Sequence, residues 1–166
     1  MISRRTLLGG AAALAAGSLA GCSSKFRSYD GPPVTGLVVH KARRRMVLLS
    51  GNTALRGFEI ELGGDPIGPK RWEGDGKTPE GAYWIDRRNP NSSYHLSLGI
   101  SYPNPQDVAY AQALGRAPGG DIFIHGTPRE KRRAANWTAG CIAVTNREME
   151  DLYAMVGEGT PIFINP

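Results

Sequence analysis

Cys141 lies within Asn136–Asn146, "NWTAGCIAVTN", preceded by Thr138, Ala139 and Gly140 and followed by an apolar run. A thiol in that setting is a candidate nucleophile. Small residues ahead of it let backbone N–H groups approach a bound carbonyl and hold the oxyanion that forms on attack; Gly140 is the first candidate for that donor. The chemistry also needs a base. His125 lies sixteen residues upstream at the end of the apolar stretch "GDIFIHG", where an imidazole can take the thiol proton. Gly126 beside it predicts a bend in the backbone and room for a ligand. Such a site further requires a group that orients the imidazole, and no residue in the sequence stands out for that role. The plainer reading of a cysteine ahead of "IAV" is a packed core residue, since free cysteine is among the most buried residue types.

The second cysteine, Cys22, closes the N-terminal stretch "MISRRTLLGGAAALAAGSLAGC". Arg4 and Arg5, an apolar run from Leu7 to Ala20 and small residues before Cys22 read as an export signal over residues 1–21, removed from the mature chain. "LAGC" resembles a bacterial lipobox, in which the Cys22 thiol takes a diacylglycerol and becomes the new N-terminus; "SRRTLL" also resembles a twin-arginine signal. The apolar run falls short of the ~20 predominantly apolar residues of a spanning helix. With Cys22 acylated, Cys141 has no disulfide partner in the chain. A free thiol in an oxidising compartment is a liability unless it is buried or employed.

Loss of residues 1–21 removes two arginines and no acids, so the formal charge falls from +5 to +3. That mild balance, carried by "HKARRR" and "REKRR", suits an anionic wall polymer. No basic motif interleaved with aromatics points to nucleic acid.

The elements that must position the pair follow from pattern. Residues 22–33, rich in Ser, Gly and Pro, read as a lipidated tether. Residues 34–166 are long enough for one domain with a real core. "GLVVH", "RMVLLS" and "ALRGFEIEL", with Leu55, Ile60 and Leu62 facing inward, read as strands divided by turns and predict antiparallel pairing. Residues 63–80 are too rich in Gly and Pro for a regular element, and "AYWID" resumes the strands. "YHLSLGISY" is a further strand, and "NPQDVAYAQALG" a short helix stopped by Gly115. Thr145 and Glu148 have capping-box spacing, so "NREMEDLYAMVG" predicts a helix up to Gly157, with "TPIFINP" as the last strand. The fold class is mainly β with two short helices, a sandwich or partly open barrel.

Taken together and in order, "GDGKTPEGAYWID", "SYPN", "IHG" and "NWTAGCIAVTN" resemble the L,D-transpeptidase family with its YkuD-type catalytic domain, from Leu37 to Pro166. The resemblance implies a β-sandwich-like catalytic fold that acts on peptidoglycan stem peptides without metal or organic cofactor. Cys141 then matches the nucleophile, His125 the base and Gly140 the oxyanion position. Ala139 and Ala143 stand where many members carry histidine and arginine, which places the chain near the YafK-like subgroup, some of whose members resemble hydrolases. The implied reaction is acyl transfer from the meso-diaminopimelate carbonyl of a tetrapeptide stem to Cys141, then to an amine in wall cross-linking or remodelling. The alternatives are a murein peptidase or amidase using the same thiol, and a non-catalytic wall-binding lipoprotein. The implied location is the periplasmic face of the envelope, through the lipid on Cys22, with the outer membrane favoured because Ser23 is not the aspartate of inner-membrane retention.

Other residues carry weaker signals. Thr138, Trp137 and Tyr102, with Gly126, are candidates for contact with stem or glycan, although core packing suits both aromatics equally. Arg129, Arg132 and Arg133 either meet substrate carboxylates or form a solvated charged loop. His40 and His95 lack partners at metal-ligand spacing. "GDGKTPEG" lacks P-loop spacing and leads into a strand; Thr78, Pro79 and Gly81 are read as shaping a loop beside the site.

Overall fold

The computed structural model describes residues 24–166. The export signal, Cys22 and Ser23 lie outside the described residues. In chain order the elements are β1 (Gly36–His40), β2 (Arg45–Ser50), β3 (Thr53–Glu59), β4 (Gly81–Asn89), β5 (Ser97–Ile100), α1 (Pro105–Ala113), β6 (Phe123–His125), β7 (Ile142–Ala143), α2 (Asn146–Met155) and β8 (Pro161–Asn165). A 3-10 turn spans Arg129–Lys131.

The strands form one sheet in the order β3-β2-β1-β8-β4-β5-β6-β7. The mainly β class with two short helices holds, but wholly antiparallel pairing does not: β8 runs parallel to β1, and β7 parallel to β6. Each of those pairs is separated by a long crossover, α2 being part of the path to β8, and only such a connection lets strands run the same way. The sheet curls into a half-barrel whose edges meet. Just beyond β3, Glu61 bridges Ala143 of β7, and Gly63 bridges Thr138. The cysteine segment is therefore the seam.

Alternation places Leu37 and Val39 of β1, Met46 and Leu48 of β2, Tyr83 and Ile85 of β4, Ile124 of β6 and Ile162 and Ile164 of β8 in one core. Ile60 and Leu62 join it as expected. Leu55 is only half-buried and Phe58 takes the inward place, because the β2–β3 register shifts at Leu48/Leu49 and leaves Leu55 as the extra residue of a bulge.

Helix α2 starts where the capping box puts it: Thr145 accepts from the Glu148 N–H, and the Glu148 carboxylate accepts from the Thr145 N–H. It buries Met149 and Leu152 near β5 and β6, each contributing roughly 1.5–3 kcal/mol. Helix α1 is capped by Asn104, and Gly115 follows it at φ +67.

The long loop 63–80 is ordered without regular structure, by buried cations. Lys41 Nζ donates to Gly68 O at 2.6 Å, Thr78 O at 2.9 Å and Glu80 Oε1 at 2.8 Å. Lys70 donates to Asp75 Oδ1 at 3.0 Å, while the Asp75 carboxylate also accepts the N–H groups of Arg71, Trp72 and Lys77. Arg71 stacks on Tyr110 of α1, which braces the loop from outside.

Within the segment read as a tether, residues 25–27 lie against the domain. Arg27 pairs with Glu150 and Asp151 of α2, and Phe26 packs near Tyr153. The cation–aromatic order of Lys25, Phe26 and Arg27 matches an acidic and aromatic face of α2, so the segment lies along the domain.

Candidate active site

Strands β6 and β7 bring base and nucleophile together. Ile124 pairs with Ile142, and both point into the core, fully buried. Because side chains alternate along a strand, Phe123 and His125 on one side and Cys141 and Ala143 on the other take the opposite face. His125 and Cys141 are thus diagonal neighbours across an adjacent strand pair, and both line the same two clefts.

The group that orients the imidazole is backbone. His125 Nδ1 lies 2.8 Å from Gly126 O. A carbonyl only accepts, so Nδ1 carries the proton and the neutral ring keeps its lone pair on Nε2, as a base requires. The Tyr94 ring stacks on the imidazole at 4.5 Å with planes 24° apart, and the Trp137 ring meets it edge-on at 5.4 Å. Burial pushes the His125 pKa below the usual imidazole range, against the opposing Gly126 hydrogen bond. Burial also pushes the Cys141 thiol up, and hydrogen bonding from the Phe123 backbone only partly offsets it. Both shifts favour the uncharged forms, a thiol beside a neutral imidazole.

The turn that presents Cys141 is clamped on both sides. Thr138 Oγ1 donates to Cys141 O at 2.7 Å and accepts from Gly140 N at 3.2 Å, while Thr138 N and O pair with Leu62 O and Gly64 N. Gly140 has φ +130, and a Cβ there would lie 2.6 Å from Lys77 O. The Gly140 N–H is engaged by Thr138 Oγ1, and its missing side chain gives conformation and close approach to the loop. Among the described residues the Cys141 N–H has no acceptor, so that donor is open.

Gly126 has a different use from the one expected. A Cβ on it would meet Asn146 Oδ1 at 2.4 Å and Tyr94 O at 2.7 Å, so its bare backbone makes room for protein. Thr138 and Trp137 line the site. Tyr102 does not: it is 5% exposed, packs edge-on to Tyr83 and donates to Pro118 O at 3.0 Å, which makes it a core residue. Thr78 is buried and accepts from Gly63 N, as a loop-shaping residue should. His40 is half-buried on β1, and His95 bonds Glu150. Among the described residues no group of three His, Cys, Asp or Glu is gathered to hold a metal, and no helix is long and apolar enough to cross a membrane.

Two clefts meet at Cys141, His125 and Tyr94. One, of about 280 Å3, runs past Ser92, Ser97 and Asp121; the other, of about 360 Å3, runs past Trp137, Ala139 and Lys131. Lys131 also lines a larger cleft of about 500 Å3 that holds Arg132 and Arg147. Arg129 and Arg133 are exposed.

The family model of the L,D-transpeptidase catalytic domain, YkuD, matches residues 35–164. The chain belongs to the L,D-transpeptidase family. YafK of Escherichia coli (strain K12), a protein provisionally named as an L,D-transpeptidase, is 31% identical over 102 residues, which is 60% of this chain and 36% of YafK. The helical cell shape determining protein Pgp2 from Campylobacter jejuni superposes with a TM-score of 0.62 at 27% identity, over 82% of this chain and 49% of that one. An L,D-transpeptidase from Mycobacterium smegmatis shares the fold, with a TM-score of 0.53 at 16% identity over 78% of this chain and 58% of that one. The chain thus spans about a third of YafK and half of Pgp2.

Within this L,D-transpeptidase domain, two participants carried no signal in the sequence. Tyr94 lies in a loop of Ser, Asn and Pro, and only β5–β6 pairing brings it over His125. The Gly126 carbonyl belongs to a residue noted for its missing side chain.

Proposed function

We propose that this domain transfers acyl groups from peptidoglycan tetrapeptide stems through a thioester on Cys141. The observation that carries this reading is the shared face of Cys141 and His125 at the meeting of two clefts, with Nδ1 held by Gly126 O and Nε2 left as acceptor. The Cys141 proton passes to His125 Nε2 as sulfur attacks the carbonyl at the L-centre of meso-diaminopimelate. The oxyanion meets the Cys141 N–H, and D-alanine leaves with the proton returned by the imidazolium. An amine from a second stem then loses a proton to His125, attacks the thioester and restores the thiol. Two clefts suit a donor and an acceptor. The role in wall remodelling and shape follows the likeness to Pgp2, and Cys22 would anchor the chain at the periplasmic face of the envelope.

Hydrolysis is the second reading, favoured by Ala139: it is exposed in the cleft of about 360 Å3 and offers no polar group to hold an amine. Water then replaces the amine in the second step. The test is incubation of the chain and of Cys141→Ala with a purified disaccharide-tetrapeptide, followed by mass analysis of the products. Transfer predicts a cross-linked dimer that vanishes in the variant. Cys141-dependent loss of D-alanine alone would establish hydrolysis, and products identical in both samples would defeat both readings in favour of a wall-binding protein.

A further inference from the structure

One ammonium ties both ends of the loop that covers the base. Lys25 Nζ donates to Pro90 O at 2.6 Å and to His95 O at 3.1 Å. Between those carbonyls the loop joining β4 to β5 has short local bonds, Asn91 N to Asn89 Oδ1, Tyr94 N to Ser92 Oγ and Leu96 N to Tyr94 O, and one backbone bond to β6's end, Gly126 N to Tyr94 O. Leu96 anchors its far end in the core, but between the two carbonyls the one large apolar side chain is Tyr94, which is 42% exposed. Residues 90–95 therefore have little apolar burial of their own, and segments of that kind open locally at small cost.

A second route reaches the same loop. His95, at φ +76, sets Nε2 2.9 Å from Glu150 Oε1, and Glu150 Oε2 accepts Arg27 Nε at 2.9 Å and Nη2 at 2.6 Å. Lys25 and Arg27 thus converge on His95 from its carbonyl and its ring. Inward from there, Tyr94 stacks on His125, and Tyr94 O accepts Gly126 N at 3.0 Å, the residue whose carbonyl holds His125 Nδ1. The contacts form a continuous path from residues 25–27 to the imidazole.

We infer that residues 24–27 are a strap that holds the Tyr94 loop against His125, with Lys25 as a positioning residue for the reaction; this rests on His125 acting as the base. The exposed Arg27 ion pairs contribute little to global stability, and Lys25 bonds only carbonyls of a loop that opens locally, so the strap orders the loop without setting the melting temperature. Order at the base is thereby coupled to where the N-terminal end of the chain is held.

The test compares the chain with Lys25→Met and Lys25→Arg by hydrogen exchange read by mass spectrometry, with kinetics on the disaccharide-tetrapeptide. In Lys25→Met, exchange in residues 90–96 is expected to speed up about tenfold, while residues 146–155 and the melting temperature stay unchanged. The kcat is expected to fall about tenfold with KM held within about twofold, since a displaced base costs turnover more than binding. Lys25→Arg, which keeps a donor in reach of both carbonyls, restores protection. Unchanged exchange in residues 90–96 overturns the strap whatever the reaction proves to be. A loosened loop with unchanged kcat overturns its positioning role. A loosened loop in a chain whose parent is inert towards muropeptides leaves the strap standing and counts against the proposed function instead.

Discussion

Cys141 is half-buried with its sulfur 3.5 Å from a backbone carbonyl, Asp121 O, and that burial favours the thiol over the thiolate. His125 rests neutral for the same reason. Each shift disfavours the charged form, so the pair does not pre-ionise, and the proton moves only when an attacked carbonyl gives the thiolate somewhere to go. Alkylation of the resting enzyme by iodoacetamide should therefore rise with pH only above the usual thiol value of about 8.5. The acid limb of kcat/KM reports the opposite shift: the base works when unprotonated, its pKa is depressed, and activity should persist below the usual imidazole value of about 6.5. An alkylation profile centred below the ordinary thiol range would mean a thiolate–imidazolium pair and would contradict this account. Slow alkylation near neutral pH is thus no sign of a silent protein.

At the scale of elements, the site is a seam between a two-residue strand and a long loop. Gly140 shows how tight that seam is. Gly140→Ala places a Cβ 2.6 Å from Lys77 O at φ +130, which favours glycine. The change is expected to cost about 1–3 kcal/mol in strain. By turning Cys141 away from His125 it should lower kcat/KM by about 100-fold. Thermal melting and steady-state kinetics on the same preparation check both, and a fully active variant would show that the turn relaxes freely. The parts of this seam legible in the sequence were those with local signals: the capping box of α2, Gly115 after α1, and small residues before Cys141. Parallel pairing of β8 with β1, the bulge at Leu55 and the burial of Lys41 in loop 63–80 depend on partners far along the chain, and no local pattern encodes them. In the segment read as a tether from its Ser, Gly and Pro, Lys25 and Arg27 find acceptors more than sixty residues away, which no local pattern encodes.

For the whole molecule, a half-barrel sealed by its own cysteine segment couples closure of the fold to assembly of the site. The clefts, the bare Cys141 N–H and the imidazole tautomer all follow from β7 meeting both β6 and the segment beyond β3. The proposed envelope location rests on the first 22 residues alone: Cys22→Ala should move the chain from the membrane fraction to the soluble fraction, and retention in the membrane would oppose a lipid anchor. The most direct test of the central claim weighs the protein itself during the incubation with disaccharide-tetrapeptide. The account predicts an adduct equal to the substrate less D-alanine, mapped to Cys141 and absent in Cys141→Ala. Turnover with no adduct at Cys141, or the same products from the variant, would contradict it.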